Sequence, residues 1–186
     1  MPDVAASTLL APWANFYVIT GSSAAALTGL MFVVITLVAG EERVRRVPDG
    51  IGTFSSPTVV HFCAALFISA VLAAPWRMIF HPAILLTITG LAGVAYGLRI
   101  VVRLRWRTSR YLPDIGDWIW YAIFPLIAYV FVLGSAADLR YKPDVALFGL
   151  AAANIFLIFI GIRNAWDVVT FIAITLPNEP PTDKSL

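Results

Sequence analysis

Polar surface is what this chain lacks. Of its 186 residues 13% are charged and 60% hydrophobic, and its mean hydropathy is +0.84. A soluble domain has a far smaller apolar share, so lipid must be the solvent for most of the surface. Cysteine is nearly absent. Cys63 stands alone, which excludes an intramolecular disulfide framework and carries no redox-compartment signal. Histidine is scarce too, with only His61 and His81. His61 and Cys63 lie two positions apart on a helix and point to different faces, so they make no metal pair. In the topology expected from the arginines, the two histidines fall on opposite membrane sides, too far apart to share a haem. No phosphate loop or dinucleotide fingerprint occurs. A Ser-His-Asp reading from Ser55 or Ser56, His61 and Asp167 has no nucleophile-elbow pattern behind it. The expectation is a non-enzymatic chain with no cofactor and no metal. No basic stretch precedes the first apolar run, so that run is expected to be a retained anchor rather than a cleaved signal. No loop is long enough for a soluble domain, and no internal repeat is visible.

Long apolar blocks fill the chain instead. Crossing a hydrocarbon core of roughly 30 Å takes about 20 helical residues. Five blocks reach that length, at about 15–39, 57–76, 82–104, 117–137 and 144–165, the last with a helical extension to 176. Open strands would leave backbone groups unpaired in lipid, so the blocks are read as helices. The fold class is all-α: a polytopic membrane bundle of five transmembrane helices in one domain, 1–177. Ser56-Pro57 is expected to cap and start the second helix, and His81-Pro82 to start the third. Pro125 predicts a kink in the fourth. The tail, 178–186, is polar and proline-rich and reads as disordered and cytoplasmic.

Lys and Arg set the orientation. Arg43, Arg45 and Arg46, then Arg105, Arg107 and Arg110, lie in odd-numbered loops, with Arg99 and Arg103 adjoining. Arg77, Arg140 and Lys142 are on the other side. The positive-inside rule then predicts an external N-terminus and a cytoplasmic C-terminus. Arg103, Arg105, Arg107 and Arg110, near Trp106, are expected to meet anionic lipid headgroups rather than nucleic acid. All six tryptophans fall near predicted span ends, as an interfacial belt requires.

The candidate site begins with Arg163 and Asp167, one turn apart in the last apolar run, and with Asn164 beside them. Charges at membrane depth are costly and count as functional candidates. The last helix is too long for a simple crossing, and a span starting at Asp144 puts Arg163 near the cytoplasmic boundary. There it either snorkels to the headgroups or joins a polar cluster of Arg163, Asp167, Asn164, His61, Glu41 and Glu42. That cluster is either a packing staple or the mouth of a pathway, where His61 could add pH sensitivity. On the first helix, Gly21, Ala25 and Gly29 give a small-residue face, and Thr20, Ser22, Ser23 and Thr28 add hydroxyls. The face reads as helix packing or as a polar path. Gly90, Gly93 and Gly97 make a similar, weaker face on the third helix.

The stretches Phe16–Gly29 (FYVITGSSAAALTG), Ser56–Phe62 (SPTVVHF) and Asn164–Asp167 (NAWD) resemble those of a group of small uncharacterised bacterial integral membrane proteins. The resemblance implies a bacterial cytoplasmic (inner) membrane and brings no activity with it. A bundle this small has little interior, so a homo-oligomer in the lipid bilayer is expected. The leading functional expectation is a non-enzymatic pore or transport protein for a small ion or solute. The alternative is an accessory or scaffold subunit whose polar cluster only fixes helix packing.

Overall fold

The computed structural model describes residues 6–39, 50–106 and 115–174, with side chains at 6–37, 57–105 and 115–170 apart from Asp117. Glu41, Glu42, Arg107, Arg110 and the tail 178–186 lie outside the described residues. Every element is helical: α1 (Ala6–Leu10), a 3-10 turn (Ala11–Trp13), α2 (Ala14–Ala39), α3 (Gly50–Ala73), α4 (Phe80–Trp106), α5 (Ile115–Trp118), a π-helical turn (Ile119–Ile123), α6 (Phe124–Asp138) and α7 (Pro143–Ile174). Among the described residues, four helices are long and apolar enough to cross a membrane: Ala6–Leu37, Phe80–Arg105, Ile119–Asp138 and Pro143–Thr170. Pro57–Ala73 is a shorter apolar helix. These helices make the chain a membrane protein.

Two helix boundaries differ from the sequence expectation, each through proline. The second helix begins at Gly50, so Pro57 is an interior residue and not the first helical one. Proline is tolerated inside membrane helices because neighbouring groups re-satisfy the freed backbone. Pro125 instead follows a widened turn. It has no N–H to return to the preceding turn, and the Phe124 N–H reaches back five residues to the Ile119 carbonyl. The disturbance expected at Pro125 is thus absorbed as a π-turn just before α6, one of the recognised ways a helix accommodates an interruption.

The helices pack as neighbours α4–α6–α7–α3–α2. Among the candidate spans α7 is the most buried, and α2 and α4 are the least. Tyr17, Phe62, Ile68, Leu72, Leu86, Tyr129, Leu147, Leu150, Leu157 and Ile160 fill the centre. Close approach depends on glycine. A Cβ on Gly90 would lie 2.9 Å from the backbone of Leu133, one on Gly97 would meet Leu126, and one on Gly93 would fall inside the Tyr129 ring. Gly161 likewise lies against the Phe62 ring. One end of the bundle holds Trp13, Trp76 and Arg140, and the other holds Trp120, Arg163 and Trp166. The first end is tied down. The Ala6 N–H donates to the Arg77 carbonyl (3.4 Å), the Trp76 indole to the Val71 carbonyl (2.5 Å), and Trp13 packs edge-on against Phe148.

Candidate functional site

Three apolar helices each bring one polar side chain to a common point. Thr20 of α2, Ser69 of α3 and Asn154 of α7 form a closed knot: the Asn154 amide donates to Ser69 Oγ (2.9 Å) and Thr20 Oγ1 (3.1 Å), and the two hydroxyls are 3.1 Å apart. Thr20 also donates to the Phe16 carbonyl at 3.0 Å. The proton order is then consistent, with Thr20 donating to Phe16, Ser69 to Thr20, and both Asn154 amide hydrogens used. Only Asn154 Oδ1 is left without a partner. Gly21 makes the knot possible, because a Cβ there would sit 2.9 Å from Ser69 Cβ.

A second buried polar group lies nearer the Arg163 end. His61 is fully buried, and its Nδ1 is 3.0 Å from the Tyr129 hydroxyl of α6. The Tyr96 ring stands edge-on to it at 6.4 Å. Among the described residues His61 Nε2 has no hydrogen-bond partner, and neither has either amide atom of Asn164, which is also fully buried. The free imidazole nitrogen and the free amide together offer both donor and acceptor capacity to a third group.

Arg163 and Asp167 bond to each other, with side chains 43% and 37% exposed, and the Arg163 guanidinium lies 5.7 Å from the centre of the Trp120 ring. Arg163 is held by Asp167 and Trp120, and His61 by Tyr129 and Tyr96, so these charges and the imidazole have separate partners. On α2, Ser22, Ala25 and Gly29 are exposed, and nothing lies within 4 Å of a Cβ on Gly29. The packing face runs instead through Tyr17, Gly21, Ala24 and Met31. Ser23 and Thr28 turn their hydroxyls onto their own helix carbonyls at Ile19 (2.9 Å) and Ala24 (2.8 Å). Arg103 and Arg105 are exposed in the last turn of α4.

No family model, curated protein or solved structure matches the chain. The site is therefore interpreted from its own chemistry. Sequence reasoning missed Asn154, Ser69 and Tyr129. Asn154 had a usable signal, an amide in the middle of the longest apolar run. Ser69 had none, since a lone serine hydroxyl in a membrane helix ordinarily returns to its own backbone.

Proposed function

We propose that the protein is a non-enzymatic accessory or scaffold subunit of the bacterial inner membrane, with five spans, an external N-terminus and a cytoplasmic C-terminus. The observation that supports this best is the Thr20–Ser69–Asn154 knot, in which polar side chains from three helices are bonded to one another inside a filled centre. Such a knot fixes helix register and ties the Thr20 hydroxyl of α2 into the packing. The outward faces of α2 and α4, the least buried spans, are the surfaces open to a second copy or another subunit. Counting Pro57–Ala73 as the fifth span rests on its apolar character and its place beside α2 and α7. The orientation rests on arginine, since the loops joining at the Arg163 end carry Arg43, Arg45, Arg46, Arg107 and Arg110.

Transport of a small solute is the second reading. It is favoured by the buried polar atoms without partners: His61 Nε2, Asn154 Oδ1 and both amide atoms of Asn164. Flux through liposomes holding purified protein separates the two. The accessory role expects proton, potassium and glycerol flux equal to that of empty liposomes. A flux above that background, abolished by Asn164→Leu, would overturn it in favour of transport.

A further inference from the structure

His61 and Asn164 lie on different helices, yet the packing brings them to one level. Ser69 of α3 bonds Asn154 of α7, and Phe62 of α3 covers Gly161 of α7. The two helices are thus antiparallel in a fixed register that sets His61 level with about residue 162. Asn164 is then about 3 Å further along the axis, at 1.5 Å per residue. Its direction follows from the same helix. Gly161 faces α3, and Phe156, which meets Phe124 of α6, marks the side facing α6. At about 100° per residue Asn164 falls between those two directions. His61 turns toward the same three-helix interior, where it bonds Tyr129 of α6.

We propose that this interior, bounded by His61, Asn164 and Tyr129 between α3, α6 and α7, is a binding site for a small uncharged molecule that both donates and accepts hydrogen bonds, water being the smallest. At this level three polar atoms on two fully buried side chains have no hydrogen-bond partner among the described residues: His61 Nε2 and Asn164 Nδ2 and Oδ1. Leaving a buried polar group unpaired costs about 1–3 kcal/mol, and a buried water typically makes about three hydrogen bonds. The number and mixed character of the atoms match that requirement. The charges nearest Asn164 along α7, Arg163 and Asp167, bond to each other and are part-exposed, which favours a guest without charge. The π-turn Ile119–Ile123 is at the same level, because Trp120 within it touches Arg163. Such turns are frequent at functional sites. This site goes beyond the accessory role and does not depend on it.

Water is the probe for the test. The full chain, labelled with ¹⁵N and ¹³C in lipid bilayers, is examined by solid-state NMR with magnetisation started on water. Asn154 is the internal reference, since both its amide hydrogens are held by Thr20 and Ser69. The expected result is transfer to the Asn164 amide several-fold faster than to the Asn154 amide, with transfer to His61 Nε2 as well. Equal, slow build-up at both asparagines would overturn the site. In Asn164→Leu, His61 Nε2 is expected to lose its water transfer while its Nδ1 stays bonded to Tyr129. An unchanged Nε2 signal in that variant would overturn a shared guest. If the variant does not fold, the wild-type comparison of the two asparagines decides alone.

Discussion

Asn154 and Asn164 are the same side chain on one helix, both fully buried, and their surroundings give them opposite roles. Asn154 finds two hydroxyls and bonds both. Asn164 finds none. Interhelical hydrogen bonds in membranes contribute about 0.6 kcal/mol on average and up to about 1.7. Asn154→Ala is therefore expected to lose roughly 1 kcal/mol in reversible unfolding from bicelles, because the Thr20–Ser69 contact survives it. Arg163→Ala is expected to lose less than about 1 kcal/mol by the same measurement, since its partner Asp167 is part-exposed. The sequence grouped His61, Asn164 and the charge pair with Glu41 and Glu42 as one expected cluster. It could not say which partner each of them takes. Charge at membrane depth is conspicuous along a sequence, whereas burial and partner choice depend on which helix stands alongside.

At the scale of elements, two small-residue faces looked alike in the sequence and behave differently. Gly90, Gly93 and Gly97 of α4 lie against α6. Gly21, Ala25 and Gly29 of α2 do not stay on one face, since a step of four residues drifts about 40° around the helix. Two such steps carry Gly29 away from α3, while Ala24 and Met31 hold the contact. Gly93→Val is accordingly expected to cost about 1–3 kcal/mol or more through overpacking, and to break the bond from Tyr129 to His61, seen as a changed His61 ¹⁵N shift. Gly29→Val in the monomer is expected to leave stability unchanged in parallel unfolding experiments. Helix positions were largely legible, because apolar length marks each one. The start of α3 at Gly50 and the π-turn before Pro125 were not. Proline signals an interruption, and only the neighbouring backbone decides whether the helix begins there, bends, or widens by one residue.

For the whole molecule, Cys63 gives a direct handle on topology. It is the only cysteine and is exposed on the outward side of an apolar helix. A thiol facing lipid is out of reach of a reagent that stays in water. The wild-type protein in intact cells is expected to resist a membrane-impermeant maleimide. Cysteines introduced at Asn15 and Asp144 of a Cys63→Ser variant are expected to react from outside. Labelling of Asp144→Cys only after the cells are opened would reverse the proposed orientation.

The two ends of the bundle differ in how they are fixed. Near Trp76 the chain is fastened by the Ala6–Arg77 and Trp76–Val71 bonds. At the other end α7 runs on as a single helix of 32 residues, roughly 48 Å at 1.5 Å per residue, against a hydrocarbon core of about 30 Å. A mismatch in bilayer thickness is therefore met unequally. A thinner membrane uncovers more of α7 around Trp166, and a thicker one submerges it, while the fastened end keeps its depth. Membrane thickness is thereby registered on one face of the protein and hardly at all on the other.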